Sequence, residues 1–355
     1  MSPEQFQRQL LDWFDLNGRK DFPWQQLINP YRVWISEIML QQTQVNSVIP
    51  YFNNFIARFP TIQSLAMAEL DEVLQHWSGL GYYARARNLH KTSRLIVAHG
   101  GEFPLTVEGL TALPGIGRST AGAILSIACE QSQPILDGNV KRVLARFHAI
   151  KGWPGDNKVS EILWEISRRH TPTHRPGAYT QAIMDMGATL CTRSNPQCEI
   201  CPLASGCRAL KLGLVDTLPE KKPVKNLPVK HLHFLILQKN GLGILLEKRP
   251  PLGIWGGLWS FPEFAGLQQL QDWCDQRNFI LGTRKTLPSQ RHSFSHYHLD
   301  YTPVLATLIN PINYVMETNA SVWYKTADIN TLGLPAPIKR LLQQHDIEAN
   351  YGEIG

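Results

Sequence analysis

The sequence predicts a protein of two domains, an all-α domain followed by an α+β domain. Apolar residues recur with the 3.6-residue period of helices through about residue 210. Farther along, the pattern changes to short runs typical of strands, with one helical run among them. Residues 218–230 lie between the two patterns and combine three prolines with several lysines, as extended linkers do. We therefore expect domains at residues 1–212 and 231–355, joined by a linker at residues 213–230.

The first domain should consist of short helices packed on one another. Turns that contain Gly or Pro separate its helical segments at short intervals. The segments with a helical period are residues 4–14, 33–45, 70–77, 121–129, 139–150 and 161–170.

The second domain should combine a sheet with a helix. Residues 231–250 have the pattern of two strands joined by a turn at Asn240 and Gly241, a favourable pair for a tight hairpin. Further strands are expected at residues 298–309 and 320–326, and a helix at residues 266–278.

Composition is that of an ordinary globular protein, since 43% of the 355 residues are hydrophobic and 18% are charged. The net charge of +6 is compatible with a polyanionic partner such as nucleic acid, and equally with a solvated surface. No apolar run is long enough to cross a bilayer, and the first residues lack the basic and apolar order of a secretion signal. We expect a cytoplasmic protein that does not contact membranes.

Four of the six cysteines fall within residues 191–207, at Cys191, Cys198, Cys201 and Cys207. So close a spacing predicts a metal centre rather than the dispersed disulfides of a secreted protein. Both a zinc ion and an iron–sulfur cluster accept four thiolates, so ligand type leaves both open. The uneven spacing lacks the paired C-x2-C knuckles usual for zinc and favours a [4Fe–4S] cluster.

The stretch "LPGIG" separates two helical segments within residues 106–129 and contains Gly115 and Gly117. A helix that begins directly after such a turn has backbone N–H groups without intrahelical acceptors. These groups and the helix dipole favour an anion such as a DNA phosphate. An ordinary turn between two helices explains the isolated stretch equally well, but the positive net charge favours DNA.

Two carboxylates are candidates for acid and base chemistry. Glu37 has apolar neighbours in the sequence, so burial could raise its pKa into the range that a general acid needs. The alternative is a surface residue on the polar face of a helix. Asp137 directly precedes a helix and is expected to cap it, a position that keeps a carboxylate ionised. The two groups could therefore divide the acid and anion roles.

Several motifs together resemble one superfamily of enzymes. The stretch "LPGIGRSTAGAI", followed by "LDGNVKRV" and the four-cysteine loop, resembles the helix-hairpin-helix signature of the endonuclease III superfamily of DNA glycosylases. The stretches "SEIMLQQTQV", "GLGYYARARNL" and "MDMGATLCTRS" resemble its MutY family of adenine glycosylases. This resemblance covers essentially the whole chain. It implies an all-α helix-hairpin-helix domain with a [4Fe–4S] cluster, and double-stranded DNA as the partner.

The resemblance also implies roles for single residues. Glu37 matches the acid that protonates adenine, and Asp137 matches the carboxylate that stabilises the cationic sugar. Asn139 and Asp185 match residues that support this site, although some relatives have Glu where Asp185 stands. Ser119 occupies the place of a lysine whose amine forms a Schiff base in relatives that cut the strand. A hydroxyl cannot form that imine, so the resemblance implies a monofunctional glycosylase.

Two further residues match those that enter the duplex beside a flipped nucleotide. These are Gln42 and Tyr82, whose amide and ring can fill the space that the base vacates. A core aromatic residue is the alternative for Tyr82. Arg85 and Arg87 are candidates for phosphate contacts, and a solvated surface explains them equally well.

The second domain resembles the Nudix fold without its metal chemistry. Gly257 and Glu263 repeat the opening of the Nudix box, but residues 271–276 lack the arginine and the glutamates that bind metal in active Nudix hydrolases. The MutY loop that probes the base opposite adenine is matched by Phe294, Ser295 and His296.

The expected function is therefore removal of adenine opposite 8-oxoguanine or guanine, by a monomer associated with the nucleoid. Three alternatives stay open. A bifunctional glycosylase for pyrimidine lesions is disfavoured by Ser119. A DNA-binding module without enzymatic activity would not need both Glu37 and Asp137. An active Nudix hydrolase is disfavoured by the incomplete box.

Overall fold

A computed structural model describes residues 1–223, 226–251, 253–310, 321–325 and 332–351, with side chains up to residue 344. Compact packing divides the chain into two units. The first unit contains Met1–Met67 and Asn88–Val224, and the second contains Ala68–Arg87 and Lys225–Gly355. The domain boundary expected at residues 213–230 stays a prediction.

The first unit is helical, as the periodicity predicts. The helices up to residue 211 are α1 Pro3–Asn17, α2 Pro30–Leu40, α3 Val45–Arg58, α4 Ile62–Met67, α5 Leu70–His76, α6 Ala84–Ala98, α7 Val107–Thr111, α8 Arg118–Cys129, α9 Gly138–His148, α10 Asn157–His170, α11 Pro176–Thr189 and α12 Arg208–Lys211. Of these, α5 lies in the second unit, and α6 begins in the second unit and continues into the first. Across the described ranges, no helix has both the length and the apolar character needed to span a bilayer.

The helical pattern at residues 33–45 is interrupted in the structure. Helix α2 ends at Leu40 and α3 begins at Val45. Between them Gln42 adopts the left-handed conformation, with a φ of 57°. The apolar period continues from one helix into the next, so periodicity alone cannot detect this turn.

One core cluster of the first unit is formed by α1, α9, α10 and α11 together with the segment before α9. Its most deeply buried side chains include Phe6, Leu10, Val140, Leu144, Leu163 and Ala182. Residues Thr120–Ser126 of α8 are also buried. Gly122 is required there because a Cβ would lie 2.4 Å from the carbonyl oxygen of Pro134. This close approach packs the strand-like segment that leads to Asp137 directly against α8.

The second unit contains a mixed eight-stranded sheet. Its strands are β1 Val229–Lys239, β2 Gly243–Lys248, β3 Trp259–Ser260, β4 Glu263–Phe264, β5 Leu281–Thr286, β6 Gln290–Ser293, β7 His298–Leu308 and β8 Ser321–Tyr324. The path of the sheet is β3-β2-β1-β7-β5, with β4 paired to β1, β6 to β7 and β8 to β2. Strands β1 and β7 are parallel, and every other pair is antiparallel. The predicted hairpin at Asn240 and Gly241 is confirmed, with a φ of 79° at Gly241.

Both faces of this sheet are covered. Along β1, Phe234 and Ile236 belong to one buried cluster, whereas Leu235 and Leu237 belong to another. The first cluster includes residues of α14 (Ala336–Tyr351), and the second includes residues of α13 (Leu267–Gln276). The predicted α+β composition of this half is therefore confirmed.

Candidate functional site

Glu37 lies on α2, a helix whose other residues are mostly buried. Its side chain is half-buried by surface area, yet the carboxyl group itself is desolvated. Burial is the largest effect on its pKa, and the nearby charge of Asp137 adds to it, so that the pKa rises to about 8. The sequence-based expectation of a desolvated carboxyl is confirmed, and the group can hold a proton at neutral pH.

Asp137 caps the N-terminus of α9. Its carboxylate accepts a hydrogen bond of 2.7 Å from the backbone N–H of Val140 and one of 3.2 Å from Nδ2 of Asn139. Burial nevertheless raises the pKa of Asp137 above its ordinary value, because it outweighs these bonds and the charge of Arg142. The predicted N-cap is confirmed, whereas the ionised state expected of this carboxylate stays a prediction.

The two carboxyl groups differ in the effects that act on the pKa besides burial. Hydrogen bonds and a guanidinium group lower the pKa of Asp137, whereas both effects on the pKa of Glu37 raise it. The balance of these effects favours the proton on Glu37 and the negative charge on Asp137. One neutral acid and one anion in mutual electrostatic reach can protonate a leaving group and stabilise a cation.

Arg142, which the sequence analysis did not single out, connects this site to the cysteine loop. One amino group, Nη2, donates to Oδ1 of Asn139 at 2.8 Å and to the carbonyl of Gly187 at 2.6 Å. Nε donates to the carbonyl of Cys191 at 2.6 Å. Asn139 in turn donates to Asp137, so one chain of hydrogen bonds joins the carboxylate to a cysteine of the loop. The only signal in the sequence is the spacing of Arg142, one helical turn after Asn139.

The four cysteines of residues 191–207 line one cavity of about 30 Å³. Short 3-10 turns at Cys198–Ile200 and Ala204–Gly206 fold the loop around it. Arg146 of α9 borders the cavity, where Nη1 lies 3.4 Å from Sγ of Cys191. The spacing predicted that these thiols converge, and the structure brings them together.

The donor set fits a polynuclear cluster. Burial raises the pKa of Cys201 to about 11, and the charges of Cys191, Cys198 and Cys207 add to the rise. Such mutual repulsion requires cationic charge inside the ring of thiolates. Within the part of the chain that the structure describes, no group of His, Cys, Asp or Glu is arranged to hold a single metal ion. Four thiols that line one cavity, in an arrangement that does not fit a single ion, favour an iron–sulfur cluster over zinc.

The predicted hairpin of residues 106–129 is formed by α7 and α8. Gly115 adopts a φ of 81°, and a Cβ there would lie 2.7 Å from Cβ of Asn88. Gly117 is exposed and caps α8 without a side-chain hydrogen bond. The first N–H groups of α8 lack intrahelical acceptors by geometry, so this end can receive an anion.

Ser119 lies in the first turn of α8, and its hydroxyl is directed toward the protein. Its Oγ accepts a hydrogen bond of 3.0 Å from the backbone N–H of Leu136. Leu136 is buried and immediately precedes Asp137. The hydroxyl therefore helps to fix the segment that carries this carboxylate.

The two residues expected to enter the duplex share a backbone conformation. Gln42 is exposed with a φ of 57°, and Tyr82 is 53% exposed with a φ of 49°. Side chains other than Gly rarely adopt this conformation, and it is common at functional sites. The alternative of a core aromatic is wrong for Tyr82.

The arginines that follow Tyr82 are engaged with backbone carbonyls. Arg85 donates to the carbonyls of Leu80 and Gly81, each at 3.3 Å. Arg87 donates to the carbonyl of Gly256 at 2.6 Å. Burial lowers the pKa of both guanidinium groups. They are thus partly enclosed structural groups rather than members of a solvated surface.

Asp185 of α11 is buried and forms an ion pair with Nε of Arg19. Its other oxygen accepts a hydrogen bond of 2.9 Å from the backbone N–H of Arg19. These contacts fasten the segment after α1 to α11. They hold Asp185 in its buried position.

In the second unit, the loop between β6 and β7 carries Phe294, Ser295 and His296. Ser295 and His296 are exposed, and Phe294 is half-buried. Phe294 is the centre of a cluster of rings that we call the aromatic face. Its members are Trp255, His292, Phe294, His296 and Tyr297.

The remnant of the Nudix box has become structural. Both oxygens of Glu263 accept hydrogen bonds from the guanidinium of Arg249, at 2.5 and 2.9 Å. Gly257 adopts a φ of 76° in the turn before β3. Glu263 is therefore neutralised by a bidentate ion pair.

Comparison with known families agrees with this architecture. Residues 35–169 match the HhH-GPD superfamily of base excision DNA repair proteins. Residues 191–207 match the iron-sulfur binding domain of endonuclease III. Residues 233–344 match the NUDIX domain.

Two relatives that match nearly the whole of this chain are both named adenine DNA glycosylase. An adenine DNA glycosylase of Buchnera aphidicola subsp. Schizaphis graminum is 41% identical over 340 residues, which cover 95% of this chain and 98% of the relative. Human adenine DNA glycosylase is 34% identical over 404 residues, covering 95% of this chain and 73% of the relative.

Solved structures show the fold of the helical part. A thermostable thymine-DNA glycosylase superimposes with a TM-score of 0.54 at 24% identity, over 59% of this chain and 97% of that one. A trapped endonuclease III–DNA covalent intermediate gives a TM-score of 0.51 at 23% identity, over 60% of this chain and 99% of that one. At such identities the likeness concerns fold alone.

Proposed function

This chain belongs to the adenine DNA glycosylases of base-excision repair, and we propose that it removes adenine where that base stands opposite 8-oxoguanine or guanine. It is a DNA N-glycosylase with a helix-hairpin-helix part, a [4Fe–4S] cluster and a Nudix-like part. The single observation that carries the catalytic proposal is the raised pKa of Glu37 beside Asp137.

The proposed reaction breaks the bond between the sugar C1′ and N9 of adenine. Glu37 gives its proton to N7, so that the bonding electrons leave with a neutral base. The Asp137 carboxylate faces the resulting oxocarbenium ion, and Asn139 holds that carboxylate by its 3.2 Å hydrogen bond. A water molecule then bonds to C1′ and passes a proton to a carboxylate. The products are adenine and an abasic site.

We propose that the enzyme is monofunctional. Cleavage of the strand by this superfamily's lysine mechanism needs an amine that attacks C1′. Ser119 supplies a hydroxyl, and the hydrogen bond from Leu136 engages it. The reaction should therefore stop after the base has left.

We assign binding of the DNA duplex to the exposed turns. In this proposal, the hairpin at Gly115 and Gly117 binds a phosphate, while Gln42 and Tyr82 fill the space left by the flipped adenine. The assignment of Gln42 and Tyr82 is supported by the exposure of both side chains and by the left-handed backbone conformation of both residues.

Recognition of the base opposite adenine is assigned to Phe294, Ser295 and His296. A half-buried ring can stack on a base, and an exposed hydroxyl and imidazole can bond to a purine edge. Within its own unit, Phe294 packs on Trp255 with ring centroids 5.5 Å apart, which pre-orders the ring.

The iron–sulfur cluster is held by Cys191, Cys198, Cys201 and Cys207. The cluster supplies the positive charge that four adjacent thiolates require. The chain's own contribution is Arg146, which lies against Cys191 and donates to the carbonyl of Thr192 at 2.6 Å.

The proposal also covers the domain boundary, the oligomeric state and the location of the protein in the cell. We place the domain boundary at residues 213–230, since the NUDIX match begins at residue 233. We propose that the protein acts as a monomer, because a single chain contains both sets of candidate residues. Its substrate is chromosomal DNA, so we propose that it works in the cytoplasm at the nucleoid.

The test is single-turnover release of adenine from duplexes that hold adenine opposite 8-oxoguanine, guanine or thymine. We expect rapid release from the first two, little from the third, and a loss of about 10³-fold for Glu37→Gln. Glu165→Gln is the control, because Glu165 is an exposed member of an ion pair on α10. Equal release from all three duplexes, or full activity of Glu37→Gln, would contradict the proposal.

Borohydride trapping tests the monofunctional assignment separately. A Schiff base between enzyme and sugar is reduced to a stable covalent complex, whereas a simple hydrolase leaves none. We expect no trapped complex for the wild type and a measurable fraction for Ser119→Lys. Trapping of the wild type at the rate of base release would show that another amine takes part.

A further inference from the structure

The segment of residues 68–87, which we call the α5 segment, packs within the second unit. Leu74 of α5 is 1% exposed and fits against two glycines. A Cβ at Gly333 would lie 3.3 Å from Cβ of Leu74, and one at Gly257 would lie 3.5 Å from Cδ1 of Leu74. Leu74 therefore packs against the backbone at both glycines, and the approach at Gly333 is close enough that an added Cβ would force a neighbouring atom to shift.

Polar contacts fasten the end of the α5 segment to the same elements. The hydroxyl of Tyr83, a buried residue, donates to the carbonyl of Leu334 at 3.0 Å. Arg87 donates to the carbonyl of Gly256 at 2.6 Å. The first of these joins the segment to the stretch before α14, and the second joins it to the turn before β3.

In the sequence, Tyr82 stands between Leu74 and Tyr83, and its ring is exposed. Its turn is ordered by a hydrogen bond of 3.1 Å from Nε1 of Trp77 to the carbonyl of Gly81. The backbone N–H of Gly79 donates to the hydroxyl of Tyr83 at 3.4 Å. The Tyr83 hydroxyl thus bonds the turn on one side and the stretch before α14 on the other. It is a direct polar link between the two.

The same unit carries the aromatic face. Gly256, the acceptor of the Arg87 bond, follows Trp255, whose ring lies 5.5 Å from that of Phe294. The turn that holds Tyr82 is therefore linked along the chain to Arg87, then by the Arg87 hydrogen bond to Gly256 beside Trp255, and then by the ring contact of Trp255 to Phe294. The two side chains assigned to the two partners of the mispair are supported by one body.

We propose that Tyr83 is a positioning residue, whose hydroxyl holds the Tyr82 turn on the Nudix-like part so that this part orients the ring that enters the duplex. This inference rests on the function proposed above. It explains why a strained, exposed tyrosine is followed by a buried one: the first contacts DNA and the second fixes its place. Discrimination between 8-oxoguanine and guanine should then depend on both residues together.

The experiment is a double-mutant cycle on the full-length holoenzyme with Tyr82→Ala and Tyr83→Phe. The readout is the ratio of single-turnover rate constants on duplexes with adenine opposite 8-oxoguanine and opposite guanine. Tyr83→Phe removes one hydroxyl and leaves the ring, so the variant should fold. We expect it to lower the ratio about 5- to 10-fold in the wild-type background and not at all in the Tyr82→Ala background.

Tyr31→Phe is the matched control. Tyr31 is equally buried, and its hydroxyl donates to the carbonyl of Phe59 at 2.8 Å, so the same kind of bond is lost. We expect this control to leave the ratio unchanged, because any effect on α2 acts on both duplexes alike.

Two outcomes would overturn the inference while leaving the proposed function intact. One is an unchanged ratio for Tyr83→Phe in an enzyme that releases adenine normally. The other is an equal loss for Tyr83→Phe with and without Tyr82, which would mean that the hydroxyl acts independently of that ring. If the wild type itself released no adenine or did not favour 8-oxoguanine, the proposed function would fail first.

Discussion

The two regions that carry the candidate residues differ in the environment of their carboxyl groups. In the helical unit, Glu37 and Asp137 are desolvated carboxyl groups whose pKa values are raised, and Asn139 and Arg142 supply the hydrogen bonds around them. In the second unit, the aromatic face presents rings, while Glu263 is fully neutralised by Arg249.

The difference follows from the tasks assigned to the regions. Breaking a glycosidic bond needs a proton donor and an anion whose pKa values differ from those in water. Distinguishing one base from another needs a stacking surface and a few polar edges, and a perturbed pKa adds nothing to it. We therefore expect variants of the helical region to slow release from every substrate, and variants of the aromatic face to change only the preference.

Removing the negative charge of Asp137 should have the largest effect. Asn is also a good N-cap, so Asp137→Asn keeps the start of α9 and loses only the anion. We expect single-turnover release to fall about 10³-fold on both the 8-oxoguanine and the guanine duplex.

The matched control for this change is Asp156→Asn, since Asp156 caps α10 by accepting from the N–H of Lys158 at 2.9 Å. It should retain full activity. If Asp137→Asn instead altered mainly the ratio between the two duplexes, the division of tasks between the regions would be wrong.

Changing Arg142 to Lys should have the next largest effect, this time on stability. Lysine keeps the charge but cannot reach Asn139, Gly187 and the carbonyl of Cys191 together. We expect the free energy of unfolding in urea to fall by about 2 kcal/mol. Visible absorbance of the iron–sulfur cluster, followed in the same titration, should disappear at lower urea concentration.

Arg175→Lys is the control for that variant. Arg175 forms an exposed ion pair with Asp15, whose loss should cost less than about 1 kcal/mol. Equal destabilisation by both substitutions would show that the hydrogen bonds of Arg142 contribute no more to stability than an exposed ion pair.

Truncating Phe294 should lower the preference for 8-oxoguanine about 10-fold. The rate on the guanine duplex should change little, because Phe294→Ala leaves the carboxyl pair intact. Phe279→Ala serves as the control, since Phe279 belongs to the buried cluster that includes α13. A fall in both rates for Phe294→Ala would mean that the aromatic face also supports the chemical step.

The last prediction concerns the dependence of stability on pH. The pKa of Glu37 is about 8 in the folded protein and near 4.5 when unfolded, so the folded state holds this proton more tightly. The contribution of Glu37 to the free energy of unfolding must then fall as pH rises between these values, by less than about 1.4 kcal/mol per unit. Glu37→Gln lacks this titration.

Urea unfolding of the wild type and of Glu37→Gln at several pH values provides the measurement. We expect the wild type to lose stability relative to the variant as pH increases toward 8. Parallel curves would show that Glu37 is solvated and that its role as an acid has no electrostatic basis.

Much of this organisation could be predicted from local patterns. The cysteine spacing predicted the converging loop, the stretch "LPGIG" predicted the turn before α8, and the position of Asp137 predicted its N-cap. Asn240 and Gly241 predicted the hairpin in the same way. Each of these features depends on residues close in sequence, which is why a single sequence contains the signal.

Other features could not be predicted because they depend on distant residues. The pKa of Asp137 is raised by burial, which is created by packing and not by the helix that the residue caps. Arg142 became visible only when α9, α11 and the cysteine loop were brought together around it.

The sequence by itself determined the helical first half, the mixed second half, the four-cysteine loop and the family to which the chain belongs. Tertiary structure alone decided which carboxyl group keeps its proton, and it grouped the α5 segment with the Nudix-like part. The physical reason is that capping and turn formation are set by neighbours along the chain. Desolvation, charge coupling and the packing of Leu74 against Gly257 and Gly333 arise only between residues that folding brings together.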